Sequence, residues 1–512
     1  MNYIIKNIRI PVSKQPDAVS AMKKIVGGKY GQLSSLKLIR RALDTRKKDH
    51  PYYVYTFQAA SEHPLRNHPD IVLIKEETEQ TPPKTRLSDL HPIIIGMGPA
   101  GLFCALAMVE RGLKPMLFDR GDKLSARAGS VEAFWKEGKL DPESNVQFGE
   151  GGAGAFSDGK LTSRSRNRDI QSVFDLLVKF GAPDSISWEA LPHLGTEGIR
   201  AVVSRIREYL ISQGCSFRYR SRLEDIVING GIVKQVIING QSHSPEVLVI
   251  APGNATRDTF RMLSDRGVAL QPKPFAIGVR ISHKQAWIDA AIYGSNRWTE
   301  LLGPASYRLT DNHAGRGTYT FCMCPGGFVI AASSEKDTCV TNGMSFAARD
   351  SGYANSAVVT VVNAETYGAD LFNGMKFQSA IERKAFLNGY AAPYQTASDY
   401  LKGVLSADRN LACLFPAAQS FQLSDLFPAE INDALKHGLQ HFDKILPGFI
   451  DQGILIAPET RTSSPLRLVR SEDGLNCLGI SNLYAVGEGS GYAGGIISSA
   501  ADGYRTGSSF SL

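Results

Sequence analysis

The chain has 512 residues, 43% of them hydrophobic and 21% charged, with a formal net charge of +7. That composition excludes a disordered chain, and the length allows more than one domain with a sizeable core. No run reaches the roughly 18 consecutive apolar residues of a membrane span. The opening MNYIIKNIRIPVSKQ has no apolar signal core, and the seven cysteines include no CxxC and no paired metal-ligand spacing, so a cytoplasmic protein with reduced thiols, no membrane and no metal is expected.

Residues 1–80 read as a small α+β accessory domain. Tyr3–Ile10 has the isoleucine spacing of a strand, Asp17–Ile25 that of a helix, and Tyr52–Phe57 and Ile71–Ile74 that of further strands. Residues 1–90 carry 16 Lys+Arg against 9 Asp+Glu, so the whole positive surplus lies here and the remaining 41 bases balance 41 acids. The densest run, RRALDTRKK at Arg40–Lys48, lacks interleaved aromatics and reads as a solvated face; nucleic acid or another polyanion is the alternative partner. The polar Glu76–His91 segment contains Pro82 and Pro83, which places a linker at residues 81–91.

Pro92–Asp119, PIIIGMGPAGLFCALAMVERGLKPMLFD, has the order strand, glycine loop, helix, strand, acid. Gly96, Gly98 and Gly101 form GxGxxG at the turn, followed by the helix that opens at Pro99 and Ala100. The first glycine suits the tight turn, the second lets backbone approach a pyrophosphate, and the third suits close helix packing. Asp119 lies 18 positions after Gly101, where the fingerprint expects a carboxylate on a ribose hydroxyl, and Arg120 follows it as a further cofactor contact. A second glycine-rich loop, Asn145–Asn167, places Gly151, Gly152 and Ala153 where backbone can meet a cofactor, with Ser157, Asp158 and Lys160 beyond.

Ile199–Ile211 reads as an amphipathic helix, and Phe217–Ile228, Val233–Ile238 and Val247–Ala251 as strands. Residues 92–270 thus form the first part of a dinucleotide-binding domain, and residues 271–458, which lack a fingerprint, a mixed α+β substrate domain. The chain then returns to the first domain over residues 459–512. Its last motif, LYAVGEGSGYAGGIISSAADG, leaves only 25 residues after Gly487, too few for a second βαβ unit of about 30 residues. One strand and one helix remain. This resembles the last element of two-dinucleotide flavoprotein folds, and the resemblance implies that Glu488 meets a ribityl or ribose hydroxyl and that the helix start at Gly494, Gly495 and Ile496 faces the flavin pyrimidine. The expected fold is therefore α/β, an FAD-binding Rossmann-like domain with two appended α+β units.

Nine segments together resemble one family. They are RRALDTRKK, IIIGMGPAGLF, FGEGGAGAFSDGKL, PHLGTEGIR (Pro192–Arg200), KPFAIGVRISH (Lys273–His283), FCMCPGG (Phe321–Gly327), TNGMS (Thr341–Ser345), PETRTSSPLR (Pro458–Arg467) and VGEGSGYAGGI. The family is that of bacterial FAD-dependent, NAD(FAD)-utilising dehydrogenase-like proteins with an N-terminal accessory domain. The resemblance spans nearly the whole chain and implies FAD as cofactor, without naming a substrate. Ala251–Phe260, APGNATRDTF, departs from the more histidine- and serine-containing version expected there, and Ser282 stands where an acid is usual.

The reading that follows is an FAD-dependent oxidoreductase exchanging a hydride at flavin N5 with a small-molecule substrate. An NAD(P)H-fed reductase or hydroxylase with transient nicotinamide binding is one alternative, and a flavin-containing sensor with a basic N-terminal domain another. Catalytic candidates are Cys322 and Cys324, which a regular strand would place on one face, together with His283 and Arg461. His193, Arg280 and Arg467 carry suitable chemistry but share no spacing that joins them.

Overall fold

The computed structural model describes residues 1–14, 19–48, 50–74, 85–86, 91–162, 168–472 and 475–511. Most of the expected 81–91 linker, and the first two residues of the expected Asp17–Ile25 helix, lie outside the described residues.

The N-terminal unit is a four-stranded antiparallel sheet with one helix: β1 Asn2–Pro11, α1 Val19–Tyr30, β2 Ser35–Asp44, β3 Tyr52–Ala60 and β4 Ile71–Leu73, in the order β2-β3-β1-β4. Ile5, Ile8 and Ile10 are all buried, which strict alternation forbids. A register shift between Ile5 and Ile8, with Asn7 at φ 57, inserts one residue and returns the later isoleucines to the core side. The basic run is only partly the solvated face expected, because Arg40–Asp44 completes β2. Arg41 docks this unit on the body: its guanidinium lies 4.7 Å from the ring centroids of both Tyr53 and Trp188 and pairs with Glu189.

The central domain opens with β5 Ile93–Ile95, α2 Pro99–Glu110 and β6 Met116–Phe118, followed by α3 Gly195–Ser212, β7 Ser216–Arg218 and β8 Leu248–Ile250. The expected Phe217–Ile228 strand is two elements. A turn with Arg220 at φ 51 separates β7 from Leu223–Asn229, which pairs with Ile232–Ile238 in a different, antiparallel sheet.

The next domain contributes β9 Phe275–Lys284, β10 Arg316–Cys324, β11 Tyr353–Val362, α4 Ala429–Ile445 and β12 Ile454–Glu459. The chain then returns as β13 Leu483–Ala485 and α5 Ile496–Ser508. The parallel sheet has the order β13-β8-β5-β6-β7, a Rossmann-like α/β arrangement. Ile94, Leu117 and Val249 pack on one face against α2 and α3, whereas Ile93, Ile95, Phe118 and Ile250 pack on the other against Ile226, Val236 and Phe260. Strand order reverses at β5, so its C-terminal end opens on the crevice where such sheets bind ligands.

The second body is a seven-stranded, largely antiparallel sheet in which β10, β11, β9 and β12 are consecutive. Ile277, Val279 and Ile281 of β9 share a core with Ile431, Leu435 and Leu439 of α4. The alternate β9 residue Arg280 projects to the opposite face.

Candidate functional site

The fingerprint glycines divide by physical cause. A Cβ at Gly96 would stand 2.2 Å from the Ala251 carbonyl oxygen, and one at Gly101 1.9 Å from that of Gly96, so protein packing alone requires both. Gly98 is different. It has ordinary φ, and a Cβ there would meet only the Gly152 Cα at 3.6 Å, a normal contact. Its missing side chain leaves an open cradle at the α2 N-terminus, where unpaired amides and the helix dipole favour an anion. The Asp119 carboxylate accepts hydrogen bonds from the Met97 and Gly121 amides, both at 2.8 Å, and holds the loop in shape. Burial raises its pKa against those two bonds.

The second glycine loop is built on a residue that sequence reading missed. Arg127, fully buried, donates to the carbonyls of Asn145, Val146, Gly149, Glu150 and Gly152. A guanidinium supplies five donors in one plane, which is what a loop turning around a single point requires. The Gly151 and Gly152 amides, expected to face a cofactor, instead bond the Met97 and Gly149 carbonyls. The loop's contribution is proximity, bringing Gly152 beside Gly98 while Ala153 opens a short turn. Arg120 is likewise engaged, forming ion pairs with Glu143 at 2.8 Å and Asp258 at 3.0 Å and lying over the Phe148 ring.

Helix α5 lies against α2 at backbone distance. A Cβ at Gly503 would sit 1.9 Å from the Ala100 carbonyl oxygen, and one at Gly507 2.3 Å from that of Cys104. This seam draws the two helix N-termini to one crevice. Gly487 fits against Ala100, and its amide donates to Asp502, which Arg470 neutralises at 2.6 Å. At the start of α5, Gly494 and Gly495 have open space where a Cβ would stand, and Ile496 packs against Gly154. Glu488 accepts a hydrogen bond from Asn254 at 2.8 Å and one from the Gly495 amide, and burial pushes its carboxyl up to about 7. Gly98 and Gly494 thus stand beside the N-termini of α2 and α5, two helices packed against each other, with no clash where a Cβ would stand at either.

The catalytic candidates separate. His283 is buried in the α4-side core, bonded to the Phe449 carbonyl at 2.8 Å and stacked on Trp287, and burial pushes it down to about 4. Arg461 is also committed: with Arg257 it clamps the fully buried Glu382, at 2.9 and 3.0 Å, and it donates to Ser334. Arg467 lies over the Tyr492 ring at 4.9 Å. No group of three or more histidine, cysteine or acidic residues is placed to hold a metal ion among the described residues. No helix among them is long and apolar enough to cross a membrane.

Cys322, Cys324 and Arg280 come together with Lys160. The Lys160 ammonium lies 3.6 Å from the Cys324 sulfur and 3.0 Å from Asp158, while Arg280 is 4.0 Å from that sulfur and 2.9 Å from Glu459. Asp158 also binds Ser345 and Arg349. His193 pairs with Lys160 through backbone, and burial followed by Arg349 pushes its imidazole down to about 4.

Residues 274–462 match the family described as "FAD-dependent protein, C-terminal domain-like". A protein of Clostridium beijerinckii, described as uncharacterized, is 41% identical over 488 residues, 92% of this chain and 91% of the relative. Solved structures with some likeness include glycine oxidase from Bacillus cereus, at 13% identity and a TM-score of 0.31, covering 82% of this chain and 94% of that one. Glycerol-3-phosphate dehydrogenase from Bacillus halodurans complexed with FAD has 10% identity and a TM-score of 0.34, with 82% and 64% covered.

Proposed function

The chain belongs to the family of FAD-dependent proteins that includes the Clostridium beijerinckii relative, its cofactor is FAD, and from that premise we propose an oxidoreductase acting on a small molecule bound between the two larger domains. The observation that carries this reading is that Gly98 and Gly494, at the starts of two helices packed against each other, have room where a Cβ would stand. The amides after Gly98 hold the pyrophosphate, and Asp119 adds a ribose hydroxyl to its two backbone partners. Glu488 orients a sugar hydroxyl. The N-terminus of α5, at Gly495 and Ile496, stabilises negative charge that develops on the ring. Bound FAD supplies hydride exchange at N5. Lys160, partly exposed beside Asp158, supplies positive charge on the substrate side.

The test is release of the cofactor by denaturation, then anaerobic reduction of the holoprotein against a metabolite panel that includes NADH and NADPH. One FAD per chain and rapid bleaching by one metabolite class are expected. Recovery of FMN, of tightly bound NAD, or of no nucleotide after reconstitution with FAD overturns the reading. Rapid reduction by a nicotinamide alone would identify an NAD(P)H-fed reductase instead.

A further inference from the structure

We propose that Cys322 and Cys324 form a redox-active dithiol that exchanges an electron pair with the flavin, Cys322 as the accessible thiolate and Cys324 as its buried partner. The proposal rests on the FAD oxidoreductase reading above. Three independent features of the backbone and its surroundings carry it.

First, β10 is not a regular strand here. Phe321 pairs with Ala357 and Cys324 with Asn355, so β10 contains one residue more than β11 over this interval, and Cys322 has φ +46. A non-glycine residue in that conformation is strained and persists where the surroundings enforce it. At this bulge the Cys324 thiol donates to the Cys322 carbonyl at 3.3 Å, which ties the two residues together. Second, exposure is asymmetric: Cys322 is partly accessible and Cys324 has none. Third, two cations from different domains, Lys160 and Arg280, converge on the Cys324 sulfur, at 3.6 and 4.0 Å. The bond to Cys324, then Lys160 and Arg280, lower the Cys322 pKa although burial opposes them. By contrast, Cys477 and Cys413 are pushed up to about 12 by burial, the behaviour of inert core thiols.

The pair also lies toward the proposed flavin site. Lys160 belongs to the loop whose Gly154 touches Ile496 at the start of α5, and Cys322 lies within electrostatic reach of Glu488. On oxidation, a bond forms between the two sulfurs and the S–H bond of Cys324 breaks. The electron pair and that one proton are taken up by oxidised flavin, leaving it reduced and anionic; the reverse step returns both. One thiolate and one thiol therefore exchange a hydride equivalent with no other reactant.

The test uses the air-oxidised holoprotein, its FAD content first measured by denaturation. Anaerobic dithionite titration should consume one electron pair for the flavin and a second for the disulfide, and C322S and C324S should each consume only the first. Peptide mapping without reductant should show the 322–324 fragment lighter by two hydrogens and open to alkylation only after reduction. That measurement on the wild-type chain stands even if the buried C324S variant misfolds. Consumption of one electron pair, with both thiols alkylated in the oxidised holoprotein, overturns the proposal alone. Absence of FAD overturns the functional reading together with it.

Discussion

Gly98→Ala and Gly101→Ala should damage the protein in opposite ways, although both glycines belong to one motif. At Gly101 the new methyl would stand 1.9 Å from the Gly96 carbonyl oxygen and 3.3 Å from Ile94, so α2 must move off β5. Overpacking against backbone of this kind costs roughly 1–3 kcal/mol or more. At Gly98 the methyl meets nothing nearer than 3.6 Å. Replacing an N-cap glycine by alanine costs a few tenths to about 1 kcal/mol, and the lost freedom of the unfolded chain returns about 0.4–1 kcal/mol, so the net change should lie near zero. The methyl would instead occupy the space where backbone approaches the pyrophosphate. A loss of about 1.4–2.8 kcal/mol there is a ten- to hundredfold weaker FAD affinity. Urea unfolding of the FAD-free proteins, set beside FAD titration of each, separates the two effects. If Gly98→Ala destabilises the FAD-free protein as much as Gly101→Ala does, or binds FAD normally, the division of the motif into packing and cofactor positions is wrong.

The remaining expectations concern buried charges. Glu382→Gln should cost about 3–5 kcal/mol by urea unfolding, because it leaves the Arg257 and Arg461 guanidiniums without their shared counterion. Those arginines hold the Glu382 carboxyl at about 2 despite burial, below the unfolded value of about 4.3. Its contribution is therefore complete above about pH 4 and is lost as pH falls toward 2, an acid transition the variant should lack. Glu488 behaves with the opposite sign. Burial raises it to about 7, so the stability it confers is present below about pH 4 and declines as pH rises toward 7; Glu488→Gln should flatten that decline, and Glu488→Ala should weaken FAD binding by about 1.5–3 kcal/mol. A pH profile of stability for wild type and Glu488→Gln that superimpose would refute this. Arg127→Lys keeps the charge but loses the planar fork, and a cost of at least about 2 kcal/mol with impaired FAD retention is expected, since one ammonium cannot reach five carbonyls.

The parts of this protein that could be read from sequence are those whose cause lies within a few residues. Ile93–Ile95, the three spaced glycines and Asp119 form one contiguous unit, so their spacing alone predicts the strand, turn, helix and acid that the structure contains. The terminal VGEGSGYAGGI likewise holds, directly after a strand, a glycine turn and a helix start within a few residues, and that strand adds to the sheet beside Leu248–Ile250. What could not be read are partners remote in sequence. Arg461 and His283 carry the chemistry of an active site, yet Glu382 occupies one and the Phe449 carbonyl, Trp287 and burial fix the other. Gly503 and Gly507 look like ordinary helical glycines until α2 is known to lie against them. The bulge at Asn7 broke an alternation that the isoleucines otherwise suggest, and the bulge at Cys322 interrupted the regular strand expected to carry both thiols on one face. A residue type proposes a reaction, but the group that meets it from another part of the chain decides whether the residue is free to react. Lys160 shows the difference: in the sequence it closes a glycine loop, and in the fold it is the cation that joins the cofactor loop to Cys324 on the opposite wall.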